Sequence, residues 1–137
     1  MFHANSLLLP FFTDEHRVLH DSLHEWCREH FASRIHTGSV DLYCQKLVRQ
    51  LGEAGWLRYS VPAAYGGELT EIDSRSLCLL RQTLGYYDGL ADFAFVMQGL
   101  GSGPISLFGS DELKAKYLPN VATGDQIAAF ALSLIHI

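Results

Sequence analysis

The amino-acid sequence predicts an all-α fold, about five helices followed by one short terminal strand. Three observations carry that expectation. Apolar residues recur at the 3.6-residue spacing of a helix in successive windows of the chain. Capping and stopping residues stand at the ends of those windows. The composition is that of a globular protein, because 48% hydrophobic and 18% charged residues leave too few charges and too many aromatics for a disordered chain.

The first helix is expected to open after Thr13, a capping residue type. Asp14 and Glu15 then place negative charge at the positive end of the helix dipole. Leu19, Leu23, Trp26, Cys27 and His30 follow at helical spacing and mark a core-facing side that runs to about Phe31. Residues 39–54 repeat the pattern with Tyr43, Leu47, Leu51 and Ala54. Gly55 comes next, where glycine can take the left-handed conformation that ends a helix. Between residues 61 and 67, Pro62 and the pair Gly66 and Gly67 interrupt regular structure and predict a tight turn.

A third helical face is formed by Ile72, Ser76, Leu79, Leu80, Thr83, Leu84 and Tyr87, before Asp88 and Gly89 punctuate the chain. Residues 91–108 are apolar on nearly every side, which predicts a central helix surrounded by other elements and bent or interrupted near Pro104. Ser110 can cap a fifth helix, acidic first at Asp111 and Glu112 and basic later at Lys114 and Lys116, running to about Ala122. Residues 126–133 are too short for a stable helix of their own and read as a strand. That strand has no visible partner, and unpaired backbone groups imply a protein that continues beyond it. The short connections argue against an internal domain boundary, and residues 1–12 read as a lead-in that packs.

Several function classes are disfavoured. At 137 residues the chain can bury one real core but is short for two. A formal net charge of −5 without a basic stripe argues against nucleic acid as a partner, since phosphate binding draws on clustered Lys and Arg. Cys27, Cys44 and Cys78 form neither a CxxC pair nor a zinc spacing, so a reducing compartment is expected. The apolar run from Leu7 to Phe12 lacks the basic flank and cleavage site of a signal peptide. No apolar run reaches the roughly 18 residues of a membrane span, so a cytoplasmic location is expected.

The candidate chemistry is sparse. His16, His20 and His24 stand four apart on one helical stripe, but without an HExxH pattern or a third ligand they are expected on a solvated or boundary face, with no metal. Gly99, Gly101 and Gly103 lack the remaining features of a dinucleotide fingerprint, because Pro104 stands at the third glycine position and no acidic residue follows about 20 positions on. They are expected to permit close helix packing or close approach of a ligand. There is no GxSxG elbow, no thiol in an electropositive setting and no carboxylate evidently held in an apolar pocket, so no catalytic residue is legible.

Four stretches, taken in order, resemble the acyl-CoA dehydrogenase family over about residues 12–133. LGEAGWL at residues 51–57 is similar to its helix end of the type L-x-x-x-G-(W/L/F), and VPAAYGG at residues 61–67 to its P-x-x-Y-G-G turn. GSDELKAKYLP at residues 109–119 is similar to its G-x-x-x-x-K-x-x-(Y/W)-L-P helix, and ATGDQIAAFALS at residues 122–133 to the approach to its flavin site.

The resemblance implies an orthogonal helical bundle over residues 13–125, the family's N-terminal domain, with residues 126–133 beginning the flavin-binding middle β-domain. It implies FAD as cofactor, with Phe130, Ala131, Leu132 and Ser133 against the flavin, backbone groups and the Ser133 hydroxyl hydrogen-bonding the isoalloxazine. The helix over residues 93–108 would form one wall of the acyl-chain cavity, its glycines making room for the thioester. The parent reaction implied is α,β-dehydrogenation of an acyl-CoA in fatty acid metabolism, with an electron acceptor as partner and a homo-oligomeric assembly. The family's catalytic glutamate belongs to a carboxy-terminal domain outside these residues. After Ser133 the family continues with a glutamate and a glycine-rich turn, whereas this chain reads LIHI, so residues 134–137 are taken as a non-native tail. The 137-residue chain is therefore expected to be inactive alone and to bind FAD poorly. An acyl-CoA oxidase or flavin monooxygenase of the same fold, and a non-enzymatic helical interaction module, stand as alternatives.

Overall fold

The structure, a computed structural model, describes residues 7–31 and 38–131. Among these residues five α-helices form, α1 (Asp14–Phe31), α2 (Val40–Glu53), α3 (Ser74–Tyr87), α4 (Gly89–Phe108) and α5 (Asp111–Thr123), with short 3-10 turns at Trp56–Ser60 and Ala63–Tyr65. The all-helical expectation holds. Of the lead-in, Leu7 is buried while Leu8, Leu9 and Phe11 remain exposed.

Each helix starts where its local chemistry directs. Ser39 caps α2 by accepting from the Leu42 N–H, and Ser110 caps α5 by accepting from the Leu113 N–H. Asp88 caps α4 through bonds from the N–H groups of Leu90 and Ala91, and it also accepts from the Tyr43 hydroxyl, which ties α2 to the start of α4. Gly55, at φ 83°, ends the α2 region in the left-handed conformation foreseen for it.

The buried face of α1 comprises His16, Leu19, Leu23, Cys27 and Phe31. This is the expected stripe with two changes. Trp26 is only partly buried, and so is His30, its ring stacked on Trp26 at 4.4 Å. In α2, Leu47, Val48 and Leu51 face inward, whereas Ala54 lies past the helix end and is exposed. Ile72 likewise precedes α3 and remains 38% exposed. The main core joins α1 to α4 around Leu23, Leu47, Leu51, Leu57, Leu80 and Phe95, and a smaller cluster of Val61, Leu118, Val121 and Ala122 seats α5.

Two expectations about α4 need correction. The helix runs uninterrupted through Pro104. Proline removes the hydrogen bond to the carbonyl four residues back, and here both Pro104 and Leu100 are on the exposed side, where water can serve that carbonyl. Nor is α4 surrounded. Phe93, Leu100 and Leu107, seven apart on one face, are 53%, 48% and 66% exposed. The terminal strand also fails to form among the described residues. Residues 126–131 carry no strand, because the domain offers no second strand to pair with, and the described residues show only an isolated bridge between Pro62 and Leu69.

The cap of α3 is Asp73, whose Oδ2 accepts from the Ser76 N–H and hydroxyl, while Oδ1 takes the Arg75 Nε–H at 2.9 Å. Partial burial pushes the Asp73 carboxyl upward, but hydrogen bonds from His16, Arg75 and Ser76 outweigh it and hold the group well below the usual carboxylate range. The unfolded chain therefore takes up this proton first as pH falls. The contribution of Asp73 to stability is complete above its unfolded value, about 4. It fades as pH drops below that value and is lost as pH passes through the folded one. Urea unfolding at about pH 6 and about pH 3 checks this, because Asp73→Asn should lose less stability across that interval than the wild type. An equal loss in both would contradict the assignment.

Candidate functional site

Two features meet on α4. The first is a cleft of about 360 Å³ between α3 and α4, walled by Ile72, Leu77 and Cys78 on one side and by Phe95, Val96 and Leu100 on the other. Its polar rim residue, Arg81, is already neutralised by a two-pronged bond to Asp92, at 2.9 and 3.0 Å. An apolar chain suits such a lining better than a free anion does.

The second feature is the segment after α5, which crosses α4. Gln98 is fully buried in α4, and its side-chain amide grips this segment on both sides of Ile127. Nε2–H donates to the Gln126 carbonyl at 2.9 Å, and Oε1 accepts from the Ala128 N–H at 2.6 Å. One amide thus stands in for the ladder partner that a strand would have required. Gly101 allows the approach, since a Cβ there would lie 2.7 Å from both Ala128 Cβ and Ala129 N. The expectation that these glycines permit close packing is met at Gly101. At Gly99 a Cβ would make ordinary contact with Ser60, and at Gly103 it would meet open space.

Of the four residues expected at a cofactor, Phe130 and Ala131 are exposed just past the Gln98 grip. Leu132 and Ser133 lie outside the described residues. No hydrogen bond to another described residue engages the backbone of Ala129, Phe130 or Ala131. Gln98 is the residue that sequence reasoning missed. Its signal was a glutamine inside an apolar helix, and buried polar side chains in such places normally have designated partners.

The three histidines take different hydrogen-bond partners, while the rings of His20 and His24 stay stacked at 5.7 Å. His16 is buried against Asp73, His20 pairs with Asp21, and His24 meets the Tyr87 hydroxyl. Among the described residues no group of three or more His, Cys, Asp or Glu is placed to hold a metal. Burial pushes the Cys27 thiol up to about 12, which leaves it an inert core group. No described helix is long and apolar enough to cross a membrane.

These residues form a helical domain with an apolar cleft on one side of its fourth helix, a segment pinned across that helix by Gln98 and an apolar stripe left open. The family model for the acyl-CoA dehydrogenase N-terminal domain matches residues 13–125, and the chain belongs to this family. A probable acyl-CoA dehydrogenase of Bacillus subtilis (strain 168) is 32% identical over 124 residues, covering 89% of this chain and 20% of that protein. An acyl-CoA dehydrogenase of the same organism is 28% identical over 125 residues, covering 90% and 33%. The crystal structure of an acyl-CoA dehydrogenase complexed with FAD from Bacillus anthracis superposes with a TM-score of 0.66 at 30% identity, over 88% of this chain and 21% of that one. The chain thus spans a fifth to a third of the length of the relatives it matches.

Proposed function

We propose that this chain supplies the helical N-terminal wall of a flavin-dependent acyl-CoA dehydrogenase, an enzyme that oxidises the α,β bond of an acyl-CoA thioester. The observation that carries the reading is the α3–α4 cleft lying on the same helix as the Gln98-held segment. Phe95, Val96, Leu77 and Leu100 bind the apolar acyl chain and exclude water from it. Gln98 aims the segment so that Phe130 and Ala131, followed by Leu132 and Ser133, lie against the cofactor.

The residues present fit FAD in one respect. An exposed aromatic, and backbone groups with no partner among the described residues, on a pinned segment match the needs of a polar, planar ring system. The chemistry that FAD would supply when bound is uptake of a hydride from the acyl chain. The N–H groups of the segment and the Ser133 hydroxyl would hold that ring by hydrogen bonds and stabilise charge building on it. The catalytic base is not among the described residues of this reading. The stripe of Phe93, Leu100 and Leu107 is the surface on which the remaining domains of the enzyme would pack.

The test has two arms. The purified 137-residue chain should emerge from gel filtration colourless after incubation with FAD and should not turn over acyl-CoA with an artificial electron acceptor. A chimera carrying this chain in place of the matching region of the 28%-identical Bacillus subtilis relative should bind FAD and oxidise acyl-CoA. A folded, yellow chimera that leaves acyl-CoA of every chain length untouched would overturn the reading.

A further inference from the structure

The starts of α1 and α3 meet at one imidazole. His16 is only 6% exposed. Its Nδ1 accepts the Thr13 backbone N–H at 3.1 Å and lies 2.8 Å from the Thr13 hydroxyl, while Nε2 stands 2.7 Å from Asp73 Oδ2. Thr13 precedes α1 and His16 is third in that helix. The ring therefore occupies the place from which a glutamate or glutamine reaches back to a helix start in a capping box. Asp73 in turn caps α3 through the Ser76 N–H. A single carboxylate serves both the first turn of α3 and the ring on α1.

Donor and acceptor chemistry assigns the tautomer. A main-chain N–H only donates, so Nδ1 carries the lone pair, and an ionised carboxylate only accepts, so Nε2 carries the hydrogen. The Thr13 hydroxyl can donate to the same lone pair, whereas a hydrogen on Nδ1 would leave the Thr13 N–H without its acceptor.

We propose that His16 is a neutral, tautomer-locked joint that holds the starts of α1 and α3 together and through Asp73 sets the mouth of the α3–α4 cleft. Ile72 and Ser74, the residues on either side of Asp73, both line that cleft. The lead-in is bound to the same node. Arg75 donates to the Phe11 carbonyl at 3.0 Å, and Arg17 donates to those of Leu7 and Phe12 at 3.1 and 3.2 Å. Beside the joint is a cavity of about 270 Å³ lined in part by Glu15, Tyr59, Glu71 and Arg75, which leaves the loop before α3 room to move once the joint is cut. The joint is a positioning device and stands whether or not the cleft takes an acyl chain.

A glutamine amide offers one acceptor and one donor at nearly the separation of the two ring nitrogens, so His16→Gln should keep both bonds. His16→Leu keeps bulk and loses both. Nitrogen-15 NMR of the wild-type ring should show an uncharged imidazole protonated at Nε2. Hydrogen exchange should show the Thr13 and Ser76 amides, in elements far apart in sequence, accelerating together by about tenfold in His16→Leu and returning to wild-type protection in His16→Gln. A charged ring or an Nδ1–H tautomer overturns the proposal. So does acceleration at Thr13 alone, or a folded His16→Gln variant that restores neither amide. Should His16→Leu fail to fold, the wild-type ring spectrum and the exchange of His16→Gln decide the matter.

Discussion

Gly52→Ala should destabilise the domain by roughly 1–3 kcal/mol, although in an ordinary helix interior the same change adds about 1 kcal/mol of stability. The reversal comes from the crossing of α2 and α5. A Cβ at residue 52 would lie 2.0 Å from the Thr123 carbonyl oxygen and 2.4 Å from its carbon. Both are backbone atoms at the end of α5, so no side chain can swing aside to relieve the overlap. The two helices must separate, and Leu118, Val121 and Ala122, which seat α5, lose contact with their neighbours. Thermal unfolding should record a fall in Tm on the order of 10 °C. A variant as stable as the wild type would show that α5 does not approach α2 in this way.

The second large effect is expected at Gln98. Gln98→Leu preserves apolar volume at a fully buried position but leaves the Gln126 carbonyl and the Ala128 N–H without their partner. Two orphaned backbone groups cost about 2–4 kcal/mol if they stay buried. The segment has a cheaper route, because Ile127, Ala129 and Phe130 are already exposed and the stretch can lift away from α4 into water. Fast exchange at the Ala128 amide should therefore accompany a stability loss of about 2 kcal/mol. Gln98→Glu separates the two bonds. The carboxylate still accepts from Ala128 N–H but sets an acceptor against the Gln126 carbonyl, so the Gln126 end should open first. Unchanged exchange at Ala128 in Gln98→Leu would remove Gln98 from the site.

Much of the site lay beyond sequence reading for a shared reason. Helical periodicity locates α4, but it cannot say which of its sides another element covers. The apolar stripe at Phe93, Leu100 and Leu107 was expected to be enclosed, and within this domain it is open. A glutamine within that helix reads simply as a polar interruption until the segment 30 residues away is seen to lie across it. The strand expected at residues 126–133 does not form over the described residues 126–131, since a strand exists only by pairing. The resemblance pointed to Phe130 through Ser133, but the element that aims the described part of that stretch came from the fold.

What the sequence determined by itself is local. Ser39 and Ser110 cap their helices, Gly55 takes a positive φ, and the buried faces of α1, α2 and α3 follow the spacing of their leucines. Each depends on groups within about one helical turn of each other, so neighbouring residues carry the information. Tertiary structure decided the rest. His16 meets Asp73 across 57 positions, Gln98 meets Ala128 across 30, and Gly52 admits the backbone of Thr123. These contacts exist only once particular helix faces are brought together, and that choice depends on packing and hydrogen bonding summed over the whole domain.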